Sequence, residues 1–315
     1  MNETDGTAHA GWGPVGRARN DRVELAYDRF ADAPADGDRA PLLLVTGLGV
    51  SRAWWPDGLA HAFAVRGFAV ARYDQRDGGA STHFPATATR GPLRALFGRR
   101  GPAYTAEDTA DDAIAVLDAL GWESAHLLGQ SLGGAIAQRV ALRHPTRVRT
   151  LTSVSAVPGD AAGLGTLRFI RLGTLARLAR LSFPDTPEGH TDAGVAVARL
   201  MASPGHPYDE AAARERIAAL ADAGVIDAPS QSRQIGAQWH GPAIEAVAAP
   251  TLVVHGAADP LIRASAARAI ARRVPGARLR LLPGVGHDLP EPVWAEVADE
   301  VAAHAGLGTW RASGR

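Results

Sequence analysis

Residues 127–134 read Leu-Leu-Gly-Gln-Ser-Leu-Gly-Gly, and this stretch decides the fold. An apolar run predicted as a strand ends there in the pattern Gly-x-Ser-x-Gly, and residues that favour a helix follow at once. A serine on so sharp a turn takes a strained backbone conformation, and glycines must flank it because larger side chains would collide. The turn would expose Oγ of Ser131 at the positive end of the helix, where developing negative charge is stabilised.

Strands and helices are predicted to alternate around this turn. Apolar runs predict strands over residues 23–30, 41–45, 68–74, 124–129, 148–155, 251–256 and 278–282. Helical patterns lie over residues 54–65, after an N-cap at Thr105, over 135–142, through Ile270 and over 292–305. This alternation is typical of a mostly parallel central sheet with helices on its two faces.

The alternation breaks between residues 158 and 248, where apolar helical segments are separated by proline-rich joints. We interpret residues 158–248 as a helical lid, inserted into a core formed by residues 1–157 and 249–315. The alternative is an ordinary helical layer of the core. The glycine-rich, polar residues 1–20 are predicted to be a loose leader.

Composition excludes several classes of function. The 33 basic and 33 acidic residues balance, so neither a nucleic-acid nor a membrane partner is expected. The basic side chains are all arginine and cysteine is absent, which excludes a lysine nucleophile, a thiolate nucleophile and disulfides. With no transmembrane-length segment and no secretory signal, a cytoplasmic protein is expected. The oligomeric state is not readable from the sequence.

A serine nucleophile needs a base and a third group that orients the base. Among the 11 histidines, His287 follows the last predicted strand in a loop whose glycines permit a sharp turn. Asp259 comes just after the end of a buried strand, at the carboxyl edge where open parallel sheets place their sites. The order Ser131, Asp259, His287 is the order expected of a hydrolase with a nucleophile elbow. Asp160, after the preceding strand, is the alternative acid.

Negative charge on a substrate oxygen needs two backbone donors. We predict that these are the N–H groups of Leu132, directly after the serine, and of Leu48 in the loop Thr-Gly-Leu-Gly at residues 46–49. A second glycine cluster, residues 72–81, carries several charged side chains. We interpret it as a structural brace for loops near the site.

These signatures together resemble the α/β-hydrolase superfamily across residues 23–305. They are residues 46–49, Asp-x-Arg-x-x-Gly-x-Ser at 74–81, the elbow, and the loops that carry the aspartate and the histidine. Residues 73–82, residues 113–120 and the elbow resemble more narrowly the aclacinomycin methylesterase group of polyketide-tailoring esterases. The resemblance implies an α/β-hydrolase fold, a catalytic triad of Ser131, Asp259 and His287, and an oxyanion hole from Leu48 and Leu132. Thr46 stands where many superfamily members carry histidine.

The expected activity is that of a serine hydrolase that cleaves a carboxylic ester through an acyl-enzyme. An apolar lid indicates a small hydrophobic substrate, such as a natural-product methyl ester or a lactone. No metal or organic cofactor is expected. Two alternatives stay open: a cofactor-free haloperoxidase or perhydrolase that uses the same triad, and a non-catalytic ligand-binding protein on the hydrolase fold.

Overall fold

A central sheet organises the chain. The computed structural model describes residues 11–31, 39–85, 103–161, 163–221 and 228–307. Within them an eight-stranded sheet has the order β1-β2-β4-β3-β5-β6-β7-β8. Its strands are β1 (Gly16–Asn20), β2 (Val23–Arg29), β3 (Ala40–Val45), β4 (Phe68–Tyr73), β5 (Ala125–Gln130), β6 (Val148–Val154), β7 (Thr251–Gly256) and β8 (Arg278–Leu282). β2 runs antiparallel to both β1 and β4, whereas β4, β3, β5, β6, β7 and β8 pair in parallel.

Helices cover both faces of this sheet. The core helices are α1 (Asp57–Ala64), α2 (Ala106–Ala119), α3 (Leu132–Arg143), α9 (Ala264–Arg273) and α10 (Trp294–His304). Consecutive residues of β3 enter different cores: Leu43 and Val45 pack with side chains of α2, α3 and α9, whereas Leu42 and Leu44 pack with those of α1 and α10. A strand buried on both faces has this continuous apolar sequence, because successive side chains point to opposite sides.

The predicted core elements are confirmed, with small shifts at their ends. Thr105 caps α2 through a capping box, in which its Oγ1 accepts from the N–H of Asp108 and the Asp108 carboxylate accepts from the N–H of Thr105. The strand order and the helices on both faces confirm the predicted α/β-hydrolase fold class. No helix in the described parts of the chain combines the length and the apolar character needed to cross a membrane.

The loose leader is wrong for part of its predicted range. Residues 16–20 form β1, which pairs antiparallel with β2 over the register Gly16↔Tyr27 to Asn20↔Val23. β1 is an edge strand with one buried side chain, Ala18, so its sequence lacks the apolar alternation that identifies a strand. Residues 1–10 of the leader and residues 308–315 of the predicted core lie outside the described residues.

The predicted insertion contains short and medium helices and no strand in its described part. They are α4 (Leu164–Leu167), α5 (Leu172–Leu178), α6 (Pro187–Met201), α7 (Glu210–Ala221) and α8 (Ala228–Gly236). α6 and α7 pack closely, since a Cβ at Gly194 would lie 2.6 Å from Cγ2 of Ile217. An ion pair at 2.7 Å between Arg214 and Asp192 also joins them.

Candidate active site

The turn between β5 and α3 is the strained elbow that its sequence predicts. Ser131 has φ 58° and ψ −121°, a conformation that a residue with a side chain rarely adopts. A Cβ at Gly129 would collide with the carbonyl oxygen of Gly133, and one at Gly133 would collide with that of Val45. Both contacts are with rigid backbone, so only glycine fits at these positions. The turn sets Ser131 at the N-terminus of α3, where the helix dipole favours negative charge.

Three side chains from separate loops meet at this turn. Ser131 Oγ lies 3.1 Å from Nε2 of His287, and Nδ1 of His287 lies 2.8 Å from Oδ2 of Asp259. An ionised carboxylate only accepts hydrogen bonds, so Nδ1 carries the proton and donates it to Asp259. Nε2 is therefore the free acceptor for the Ser131 hydroxyl, which is the arrangement that a general base requires.

The Asp259 carboxylate is held in one orientation by its own loop. Its Oδ1 atom accepts from the N–H groups of Leu261 and Ile262 at 2.7 and 2.8 Å, which leaves Oδ2 for His287. Asp259 is 1% exposed. Burial acts to raise its pKa, but the electrostatic attraction and hydrogen bond of the His287 ring, with the Ile262 N–H, outweigh burial, so the pKa is lowered. The carboxylate is thus kept ionised beside the imidazole.

A second imidazole faces the same carboxylate. Nε2 of the fully buried His255 lies 3.1 Å from the carbonyl oxygen of Ile262 and 3.7 Å from Oδ2 of Asp259. Both neighbours are acceptors, so Nε2 carries the proton, donates it to the Ile262 carbonyl and lies beside the carboxylate. Burial lowers the pKa of His255, although the charge of Asp259 opposes this shift. The ring stays neutral and adds a dipole that favours ionised Asp259.

The predicted donors of the oxyanion hole lie beside the elbow. A Cβ at Gly47 would lie 3.5 Å from Cβ of Ser131, so the loop of residues 46–49 runs next to the serine. The N–H groups of Leu48 and Leu132 make no hydrogen bond to any described residue. Two free N–H groups beside a serine hydroxyl suit a negatively charged oxygen.

The loop that carries His287 is fixed by the insertion and by the elbow strand. The N–H of His287 donates to the carbonyl of Met201 at the end of α6, at 2.9 Å, and the N–H of Gly286 donates to Oγ of Ser203 at 2.8 Å. Nε2 of Gln130, inside the elbow motif, donates to the carbonyl of His287 at 2.8 Å. These bonds fix the backbone of His287 through both its N–H and its carbonyl group, and so orient the imidazole.

Residues 72–81 make buried ion pairs, and within the described residues none of them forms a hydrogen bond with the side chains of Ser131, Asp259 or His287. The carboxylate of Asp74 accepts from the backbone N–H and the guanidinium of Arg52 and from the N–H of Ala80. Arg52 and Arg72 share the carboxylate of Asp28. These bonds tie the chain after β3 to the chain after β4, as a structural brace would.

The alternative acid, Asp160, does not reach His287. Its carboxylate pairs with the guanidinium of Arg273 and accepts from the N–H of Ile244 at 3.3 Å. His126 is buried and lies with Nδ1 2.8 Å from Oγ1 of Thr150, away from the three side chains. In the parts of the chain that the structure describes, no cluster of three or more His, Cys, Asp or Glu side chains is arranged to hold a metal ion.

Sequence reasoning misses three side chains near the site: His255 beside Asp259, and Gln75 and Gln234, whose amides bind the loop of residues 46–49. The spacing of His255 four residues before Asp259 is visible in the sequence, but its burial against the carboxylate is not. Gln75 falls within the predicted structural brace, and its neutral side chain carries no pattern that indicates a contact with residues 46–49. Gln234 lies 185 residues from its partner Gly49 along the chain, so no local pattern connects them.

Comparisons with known proteins identify the family. Residues 40–291 match the family model for the alpha/beta hydrolase fold. Rhodomycin D methylesterase DnrP of Streptomyces peucetius is 31% identical over 94% of this chain and 99% of its own length, and DauP of Streptomyces sp. (strain C5) gives the same figures.

Solved structures have the same fold. The meta-cleavage product hydrolase CumD of Pseudomonas fluorescens IP01 superimposes with a TM-score of 0.68 at 20% identity, over 93% of this chain and 98% of its own. A hydrolase from Pseudomonas aeruginosa PA01 gives 0.60 at 26% identity, over 94% and 97%. The chain therefore belongs to the alpha/beta hydrolase fold family and, within it, to the group of aclacinomycin methylesterase-like enzymes that act on ester bonds.

Proposed function

We propose that the enzyme is a serine hydrolase in which Ser131, His287 and Asp259 form the catalytic triad and cleave a carboxylic ester through an acyl-enzyme. The observation that carries this proposal is the continuous pair of hydrogen bonds, 3.1 Å from Ser131 to His287 and 2.8 Å from His287 to Asp259. Chain order and the methylesterase relatives support it.

The chemistry follows from the proton positions. His287 Nε2 takes the proton of the Ser131 hydroxyl while Oγ attacks the ester carbonyl carbon. The carbonyl oxygen becomes an oxyanion, which accepts from the N–H groups of Leu48 and Leu132. The imidazolium, stabilised by Asp259, then gives its proton to the leaving alcohol. Water attacks the acyl-enzyme with His287 as base, and the acid and free Ser131 are released.

We further propose that the substrate is a hydrophobic natural-product ester, with a methyl ester favoured over a lactone. The support is the 31% identity to two rhodomycin D methylesterases over nearly their whole length. Hydrolysis of a methyl ester releases methanol, whereas opening of a lactone releases none. Methanol measured beside substrate consumption therefore separates the two classes.

The role of residues 158–248 as a lid is also a proposal. Its support is that the end of α6 contacts the His287 loop, through Met201 and Ser203. A lid so attached would cover the site and exclude water while the acyl-enzyme forms.

Kinetics of the Ser131→Ala variant test the triad. With p-nitrophenyl esters, kcat should fall by about 10⁴- to 10⁶-fold, because the nucleophile is removed while binding is kept. Ser155→Ala is the matched control, since Ser155 directly follows β6, the strand beside β5, and also has a positive φ, 44°. Its kcat should stay within about threefold of wild type. Near-normal hydrolysis by Ser131→Ala would refute the triad.

A further inference from the structure

We propose that two buried glutamines, Gln75 and Gln234, are positioning residues of the oxyanion hole and clamp the peptide groups on either side of Leu48. Gln234 belongs to α8, so this proposal gives the last α-helix of the predicted insertion a role in positioning the oxyanion hole. The inference rests on the proposed function, because it takes the Leu48 N–H as an oxyanion donor.

Gln75 acts on the peptide that carries the proposed donor. Its amide Nε2 donates to the carbonyl of Thr46 and lies 3.4 Å from the carbonyl oxygen of Gly47. The Gly47 carbonyl and the Leu48 N–H belong to one planar trans peptide and point in opposite directions. An amide proton held against the carbonyl therefore turns the N–H away from Gln75 and polarises it.

Gln234 fixes the next peptide from the other side. Its Oε1 accepts from the N–H of Gly49 at 2.9 Å, and its Nε2 donates to the carbonyl of Arg76 at 3.0 Å. Gly49 has φ +66°, so the loop reverses direction there, in a conformation that other residues rarely adopt. Because Arg76 directly follows Gln75 in the chain, both glutamines are attached to the same segment after β4.

Burial supports a specific role for both amides. Gln75 is 3% exposed and Gln234 is 4% exposed. Oε1 of Gln75 has no hydrogen-bond partner among the described residues, an arrangement that costs free energy and is uncommon in folded proteins. A buried amide kept with one unsatisfied end is explained by what its other end does, which here is to hold the oxyanion loop.

Isosteric substitution tests the clamp. Gln75→Met and Gln234→Met remove the hydrogen bonds and keep the volume. We expect kcat for p-nitrophenyl acetate to fall by about 10- to 100-fold in each, because a displaced donor stabilises the oxyanion poorly. KM should change less than about threefold, since the loss falls on the transition state alone.

Gln138→Met is the matched control for loss of a buried, loop-binding glutamine. Oε1 of Gln138 accepts from the N–H of Gly159 at 2.8 Å and its Nε2 donates to the carbonyl of Val157 at 3.1 Å, so it makes the same bonds to a different loop. Its substitution should lower the melting temperature to a similar extent but change kcat less than about twofold. Equal kcat values for all three methionine variants would overturn the proposal.

A second readout separates positioning from general structural damage. A trifluoromethyl ketone forms a tetrahedral oxyanion adduct with a catalytic serine, so its Ki should rise in the Gln75 and Gln234 variants by the same factor as kcat falls. The inhibition constant of the corresponding trifluoromethyl alcohol, which is neutral and forms no oxyanion, should stay constant. A parallel rise in both constants would contradict the clamp.

Two further variants distinguish failure of the clamp from misfolding and from failure of the proposed function. If a methionine variant does not fold, Gln234→Ala replaces it, because water admitted to the space can pair with Gly49 and Arg76 without fixing the loop. The same loss of kcat is expected. Failure of the proposed function itself would appear as an active Ser131→Ala variant. A dead Ser131→Ala beside fully active glutamine variants would refute the clamp alone.

Discussion

Replacement of Asp259 by asparagine should reverse the hydrogen bond between residue 259 and Nδ1 of His287, so that His287 accepts where it now donates. The side-chain oxygen of the new asparagine is needed by the N–H groups of Leu261 and Ile262, which reach Oδ1 at 2.7 and 2.8 Å. The amide nitrogen then faces Nδ1 of His287, in the place of Oδ2, and donates to it. The imidazole proton moves to Nε2, which can no longer accept the proton of Ser131.

The magnitude follows from this tautomer. The equivalent change in a trypsin-type triad lowers kcat by about 10⁴, and the same loss is expected here because the geometry is the same. This corresponds to about 5 kcal/mol of transition-state stabilisation, at about 1.4 kcal/mol for each factor of ten. The assay is steady-state hydrolysis of p-nitrophenyl esters, with the rate of fluorophosphonate labelling as a second measure of nucleophilicity. Asparagine keeps the volume, so the variant should remain folded.

Asp160→Asn is the matched control for this prediction. Asp160 is the other aspartate that the sequence offers as the acid, but its carboxylate pairs with Arg273. Its substitution should leave kcat within about threefold of wild type. An Asp259→Asn enzyme that keeps more than a tenth of the wild-type kcat would refute the reasoning, as would a large loss in Asp160→Asn alone.

Two further predictions concern folding. Gly133→Ala should lower the free energy of unfolding by more than about 3 kcal/mol in urea titrations, since the new Cβ would collide with the carbonyl oxygen of Val45. Gly173→Ala is the control and should not destabilise the protein, because a Cβ there meets nothing within 4 Å. An equal effect of the two substitutions would contradict this account. His126→Gln should reduce the loss of stability on acidification. Burial lowers the pKa of His126 to about 4, so between about pH 6.5 and 4 the unfolded chain binds the extra proton first and the native state loses up to about 3 kcal/mol. Urea titrations at pH 7 and pH 4.5 measure this difference, which should be smaller in the variant; an unchanged difference would show that other groups, such as His255 and His304, dominate.

The sequence predicts the core of this fold because the inner parallel strands are buried on both faces. A continuous apolar run, as in β3, cannot be placed at a surface and therefore identifies the sheet directly. β1 carries no such signal, since its sequence Gly-Arg-Ala-Arg-Asn buries only Ala18 and is held by pairing with β2. Local pattern cannot reveal a strand that tertiary pairing creates.

The candidate site also contains residues that the sequence predicts and residues that it does not. Ser131, Asp259 and His287 are identifiable because each follows a strand of the parallel part of the sheet, and parallel strands bring their carboxyl ends to one edge. The amide contacts of Gln75 and Gln234 are not identifiable, because they depend on side-chain geometry across loops that are distant in sequence. The approach of His255 to Asp259 also depends on how the chain turns after β7, which composition does not encode.

Direct detection of a covalent intermediate tests the central claim, that Ser131 becomes acylated. The enzyme is mixed with p-nitrophenyl ester, quenched within milliseconds, and examined by intact-mass and peptide mass spectrometry. The account predicts one acyl group per chain on Ser131, which decays at a rate consistent with kcat and is absent from Ser131→Ala. Turnover without an adduct, or with the adduct on another residue, would contradict it.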